Sequence, residues 1–215
     1  MFVTTRKTRI ERIINFVKGP LVLDVGCTGH VVDKASKNWL HEQLCIKFNN
    51  VYGVDTSYEN VGKLIELGYK NISLQNAEDY SFKIKFDTIV AGELIEHLSN
   101  PGSFLENSIN HLKPDGQLII TTPNPFSFLN QIYAYLKYPK TCQNNQHTMW
   151  FCPSTIRELT SRYTLKIKFF DLICDYSEND PSKKYRFFVK LINILGPCLP
   201  KRLTHNSMLF VLVKS

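Results

Sequence analysis

Leu21-Val22-Leu23-Asp24-Val25-Gly26-Cys27-Thr28-Gly29 is the stretch that decides the fold. Residues 21–25, apolar except for Asp24, read as a short strand buried on both faces. A parallel strand covered on two sides shows a continuous apolar run instead of alternation. Glycine at the carboxyl end lets the backbone turn sharply and come close to a ligand. In an open α/β sheet, ligands lie outside the carboxyl ends of the strands. The stretch therefore reads as the floor of a nucleoside site, although its spacing is not the G-x-G-x-x-G of dinucleotide enzymes. An ordinary strand-to-helix turn is the alternative, and the rest of the chain has to decide.

Upstream, residues 4–17 are basic with Ile10, Ile13, Ile14 and Val17 at helical spacing, and Gly19-Pro20 stops them. Downstream, a helical stretch runs through Trp39, Leu40, Leu44 and Ile46 to a second strand, Val51-Tyr52-Gly53-Val54-Asp55. A carboxylate at that tip can accept hydrogen bonds from both hydroxyls of a ribose. Capping the next helix is the alternative for Asp55. Asp24 and Asp55 are 31 positions apart, more than the usual ~20, which points to a longer helix or an insertion around 37–49. A helix from Tyr58 to Leu67 closes at Gly68, and a short third strand at 71–74 leads to Asn76-Ala77-Glu78-Asp79. Phe86–Gly92 reads as the fourth strand, 103–112 as a helix and 117–122 as the fifth strand after the turn Lys113-Pro114-Asp115-Gly116. A helix over 154–162 capped by Ser154, a strand over 165–170 and a last apolar run, Met208–Val213, complete the pattern. No helix of crossover length directly precedes that last run, so it is expected to enter the sheet antiparallel beside its neighbour.

A chain of 215 residues suits a single α/β domain over 1–215 with a sizeable core. No signal peptide is read, and no apolar run approaches the ~20 residues needed to cross a bilayer. The cysteines at 27, 45, 142, 152, 174 and 198 are scattered without a C-x-x-C pair. That argues against a zinc ribbon or a disulfide scaffold and fits a reducing cytoplasm. Net charge is +7, and residues 1–180 are balanced at 19 basic and 19 acidic residues. The excess is Lys183, Lys184, Arg186, Lys190, Lys201, Arg202 and Lys214, a local patch instead of the extended basic cleft of a nucleic-acid enzyme.

Five segments in order, LVLDVGC, VYGVD, NAED, FDTIVAGELIEHLSNPGSFL and HLKPDGQLIITTPN, resemble the class I S-adenosylmethionine (SAM) methyltransferases of the small type 11/12/23 kind. The first matches their acidic-x-Gly-x-Gly-x-Gly motif at Asp24 and Gly26, with Thr28 and His30 where glycines are usual and Gly29 between them. The resemblance implies a Rossmann-like, seven-stranded, mostly parallel sheet of order 3-2-1-4-5-7-6, strand seven reversed, with helices on both faces. It implies SAM bound by Asp24, Gly26, Cys27, Gly29, Asp55 and Thr56, with Ala77 and Glu78 lining the adenine pocket and Gly92 at the methyl end. Relatives usually carry Asp where Asn76 stands. Gly92-Glu93-Leu94-Ile95 replaces the Asn/Asp-Pro-Pro-aromatic motif of amino-methylating DNA enzymes, which disfavours nucleobase N-methylation.

Glu93, Glu96 and His97 stand at i, i+3 and i+4, one face of a helix if the segment is helical. They could hold a divalent cation such as Mg that lowers an acceptor hydroxyl's pKa, or His97 could act alone as general base. The same E-x-x-E-H pattern occurs in small-RNA 2'-O-methyltransferases and in ubiquinone-pathway O-methyltransferases. The RNA enzymes add a downstream histidine, for which His147 is the candidate here. The catalytic set is therefore His97, Glu93 and His147, and the candidate metal set Glu93, Glu96, His97 and His147. A purely structural role for Glu93, Glu96 and His97 is the alternative.

Residues 126–151, rich in Phe, Tyr and Trp, follow a strand's carboxyl end and read as a substrate lid, or as an insertion packing on itself. Over 181–207, Lys183, Arg186, Lys190 and Asn193 form a polar stripe beside Phe187, Phe188, Leu191, Ile194 and Leu195. Such a basic amphipathic helix suits a membrane surface or simply a solvated face. The expectation is a cytoplasmic methyltransferase that O-methylates a small molecule, glycan or lipid-linked intermediate. A metal-assisted RNA 2'-O-methyltransferase and an inactive SAM-binding partner subunit are the alternatives.

Overall fold

Thr8 and Glu11 open the first helix, α1 (Arg9–Phe16), as a reciprocal cap in which each side chain accepts from the other's backbone N–H. The computed structural model describes residues 8–29, 39–136, 144–176 and 182–215. Positions 4–7 of the expected first helix, His30, the start of the 37–49 region, 137–143 of the aromatic stretch and position 181 lie outside the described residues. Ile10 and Ile13 bury the inner face of α1. The chain turns at Gly19, which admits no Cβ: its φ is +67°, and an added Cβ would run into the Asp87 side chain. Asp87 also accepts from Leu21 N–H, fixing where β1 (Leu21–Val25) begins.

Next come α2 (Leu40–Lys47), β2 (Asn50–Asp55), α3 (Tyr58–Glu66), β3 (Ile72–Leu74) and β4 (Phe86–Gly92). The face that α2 buries carries His41 and Leu44, whereas Ile46 is 69 % exposed. Residues three apart share a helix face, and Ile46 lies five beyond His41. A single 3₁₀ turn, Ile95–His97, separates β4 from α4 (Pro101–His111). The fifth strand, β5 (Leu112–Pro123), starts at Leu112 instead of 117: Leu112 pairs with Phe86 and Gln117 with Thr88, so the expected turn at 113–116 is an irregularity within the strand.

The second half holds α5 (Phe128–Leu136), α6 (Pro153–Ser161), β6 (Leu165–Ile173), α7 (Lys183–Leu195), α8 (Lys201–Thr204) and β7 (Ser207–Lys214). The cap of α6 is Cys152 and not Ser154: Pro153 takes the first helical position, where its missing N–H costs nothing, and Cys152 N–H donates to Thr155 Oγ1 at 2.8 Å. On α7, Val189 and Ile192 are buried while Phe187 and Ile194 stay in solvent, so its buried stripe is narrow. Among the described residues no helix is long and apolar enough to cross a membrane.

The sheet order is β3-β2-β1-β4-β5-β7-β6, parallel except for β7, which runs antiparallel to both neighbours. The expected architecture is the observed one. Alternate residues of β1 feed opposite faces: Leu23 and Val25 pack with Phe86, Ile89 and Phe104, and Val22 with Ile13, Leu44 and Val90. The carboxyl ends of β1, β2 and β4 consequently converge on one rim.

Candidate active site

A cavity of about 540 Å³ opens on that rim. Asp24, Gly26, Cys27, Gly29, Asp55 and Gly92 border it, as do Glu93 and His97. The floor is glycine where it must be: Gly26 has φ +81° with Leu94 Cδ1 3.1 Å from the place a Cβ would take. Thr28 stands where a motif glycine is usual. Its N–H and hydroxyl both donate to Asp55 Oδ2, at 3.1 and 2.8 Å, while Ser57 N–H donates to Oδ1 at 3.0 Å. The second-strand acid is therefore fixed in orientation before any ligand arrives.

Asp24 is buried and pairs with the fully buried His41, Nδ1 to Oδ2 at 3.0 Å. Burial pushes the Asp24 carboxyl up, and the His41 hydrogen bond opposes it. Burial alone would pull His41 down, yet Asp24, with Cys45 beside it, pushes it up to about 9.

Three expected cofactor residues do not border the cavity. Thr56 is exposed beyond the strand tip. Ala77 is packed in the core. The Glu78 carboxylate accepts from Ser99 N–H and Asn100 N–H, both at 2.8 Å, and so braces the start of α4.

The helical face proposed for Glu93, Glu96 and His97 does not form. Glu93 takes a left-handed φ of +52° outside the short 3₁₀ turn. Its N–H donates to the Thr121 carbonyl and hydroxyl, and its carboxylate accepts from Ser207 Oγ at 2.8 Å. Burial pushes that carboxyl up, with the Arg9 charge opposing. Glu93 thus ties the end of β4 to β5 and β7 and leaves the expected metal set.

Glu96, His97 and His147 do come together, each with a ligand atom within 4.8 Å of the others. The His97 and His147 rings meet edge-on at 4.7 Å. Backbone pairing holds them: Thr148 N–H donates to Glu96 O at 2.9 Å, and the Thr148 hydroxyl reaches Glu96 O and Leu98 O. Glu96 is 1 % exposed, and neither of its carboxylate oxygens has a hydrogen-bond partner. Burial, with the charge of Glu93 added, pushes its pKa up to about 8.

Sequence reasoning missed Arg9, Trp39, Leu40, Leu94 and Gln146, which also border the cavity. Arg9 pairs with Asp175 at 3.2 Å and sets Nη1 3.4 Å from Thr121 Oγ1. The Trp39 indole donates to Cys27 O at 2.8 Å. His147 stacks edge-on with Trp150 at 5.9 Å. Trp150 borders a second cavity of about 360 Å³ that also touches Phe126, Ala134 and Phe151.

A family profile described as a methyltransferase domain matches residues 3–167. The ubiquinone biosynthesis O-methyltransferase of Dechloromonas aromatica (strain RCB) is 32% identical over 121 residues, 52% of this chain and 48% of that protein. Its counterpart in Rickettsia prowazekii (strain Madrid E) is 25% identical over 181 residues, 74% of this chain and 67% of that protein. The matched part is about half the length of the Dechloromonas protein. A SAM-dependent methyltransferase structure from Archaeoglobus fulgidus shares the fold, with a TM-score of 0.63 at 22% identity, covering 96% of this chain and 91% of the other. With the profile spanning most of the sequence and the strands in their expected order, this chain belongs to the class I SAM-dependent methyltransferases of the small type 11/12/23 kind.

Proposed function

We propose that the chain transfers the methyl group of SAM to a hydroxyl oxygen of a small-molecule, glycan or lipid-linked acceptor. Glu96 carries the reading: a buried carboxyl without a hydrogen bond at either oxygen, beside two imidazoles of which one, His97, borders the cavity. Such a group is costly to keep, so its presence points to a proton or a cation handled there. The name borne by the curated relatives, ubiquinone biosynthesis O-methyltransferase, supports a hydroxyl acceptor.

In this reading Asp55 takes the ribose hydroxyls, Asp24 the methionyl ammonium and Arg9 the methionyl carboxylate. Transfer is an in-line displacement. The acceptor oxygen bonds the methyl carbon while the carbon–sulfur bond breaks and its electron pair stays on sulfur, which leaves as a thioether. The hydroxyl proton passes to a ring nitrogen of His97 or His147. Holding the two reactants in line supplies ~7–11 kcal/mol in favourable cases. Two imidazoles and a carboxylate also suit a divalent cation, and two nitrogen donors favour a first-row transition ion over the Mg expected from the sequence. Held by Glu96, His97 and His147, it would supply positive charge that lowers the acceptor's pKa.

The acceptor enters from the side of Trp150 and the second cavity, with α5 and residues 144–151 as the described parts of a lid beside it. A lipid-linked acceptor draws support from α7, where Phe187 and Ile194 are exposed beside Lys190. Methyl-tritiated SAM supplied with fractionated cell extract, with and without RNase, tests the reading. Oxygen-bound label in an RNase-resistant small-molecule or lipid fraction is expected. RNase-sensitive label would make it an RNA enzyme, and SAM binding without label in any fraction would make it an inactive partner subunit.

A further inference from the structure

His41 sits at the centre of a small arrangement built from separate elements. Its place on α2 is opened by Gly53 of β2, where a Cβ would lie 2.9 Å from His41 Cε1 and 2.8 Å from Cys27 Sγ. The Trp39 and Tyr69 rings flank the imidazole, each with its centroid at 5.8 Å. Tyr69 is itself held by the Glu42 carboxylate. Gly53 is also the residue of β2 in register with Asp24 of β1. Space, flanking rings and register all serve one hydrogen bond, from His41 to Asp24. Stability is a weak reason for it, because a buried charged pair is often replaced by apolar residues without loss. Its second end is the telling one: Asp24 borders the cavity with 2 % of its side chain accessible.

We propose that His41 is a positioning residue for the cofactor, holding the Asp24 carboxylate at the cavity edge to receive the ammonium of the methionyl group. This rests on the SAM reading above. The Nδ1–H···Oδ2 bond fixes the rotation of the carboxylate and keeps a proton donor against it, so its remaining acceptor capacity faces the ligand. Without the imidazole, the buried carboxyl takes up a proton of its own and loses its attraction for a cation. His41 does not itself border the cavity.

Calorimetry on the full chain with SAM, S-adenosylhomocysteine and 5'-methylthioadenosine tests this, since the last ligand lacks the amino-acid end. His41→Leu is expected to weaken the first two about tenfold and methylthioadenosine less than about twofold. His41→Asn, whose amide can stand in for the Nδ1–H, is expected to recover most of the loss. Should His41→Leu not fold, His41→Gln against His41→Asn makes the same comparison, the Gln amide lying one bond too far. Equal weakening of all three ligands, or no weakening, would overturn the positioning role. Unmodified chain that binds none of the three would overturn the cofactor reading itself. Unmodified chain that binds SAM no better than methylthioadenosine would spare that reading and sink this one.

Discussion

Replacing Thr28 with Val keeps the side chain's shape and deletes one of three donors to Asp55. The hydroxyl lies 2.8 Å from Oδ2, while the Thr28 and Ser57 N–H groups at 3.1 and 3.0 Å remain. Asp55 therefore stays in place but becomes freer to rotate. A hydrogen bond to a charged group contributes ~1.5–3 kcal/mol. Two backbone donors survive and Asp55 is only half-buried, so the lower end applies, ~1.5 kcal/mol or about a tenfold loss of affinity. Ribose is common to SAM and to adenosine, so both should weaken together in calorimetric titrations of Thr28→Val. Urea denaturation run alongside would show whether the variant is still folded. Affinities for both ligands within about twofold of the unmodified chain, or a loss confined to SAM, would refute the reasoning that Thr28 sets the ribose acid.

Glu96→Gln should lower kcat by about 10²–10⁴ with calorimetric SAM affinity nearly unchanged, since the proposed function assigns Glu96 to the acceptor and not to the cofactor; parallel loss of both would contradict that. His41 holds its proton up to about 9 against an ordinary 6.5, so the stability that its raised pKa contributes is complete below pH 6.5 and is lost as pH climbs towards 9. Urea midpoints should fall through that window in the unmodified chain and lose this slope in His41→Leu. Replacing Lys183, Arg186 and Lys190 by Ala should release the chain from sedimenting anionic vesicles, at ~1 kcal/mol per cation; unchanged co-sedimentation would rule out an electrostatic contact through α7.

The sheet was legible because β1, β2, β4 and β5 carry apolar runs whose length and punctuation are local properties. Part of the cavity lining was legible for the same reason, through the glycines and acids at strand tips, Asp24, Gly26, Gly29 and Asp55. Where the reading failed, it had assumed a local geometry. The spacing of Glu93, Glu96 and His97 implies a shared face only on a helix, and a left-handed Glu93 breaks that premise. Left-handed backbone at a residue other than glycine is uncommon and leaves no mark in composition. Glu78 was expected at adenine, but it does not border the cavity and its carboxylate braces the turn that leads into α4, a use equally open to any acid in a turn.

Arg9 was invisible for another reason: nothing in the period of α1 says which of its polar residues overhangs a cavity formed by strands far along the chain. His41 left a trace that could have been read. Gly53 interrupts a buried strand directly opposite Asp24, and a glycine inside a strand marks a close approach by something else. An acid on one strand and a missing side chain beside it on the next together ask for a donor from elsewhere. Thr28 is the converse case. Beside the usual motif it looks like decay, yet in the fold its hydroxyl braces the neighbouring acid. A departure from a glycine motif therefore has to be weighed against the groups the new side chain can reach, because the same substitution that fills a ligand's space in one chain can orient the ligand's partner in another.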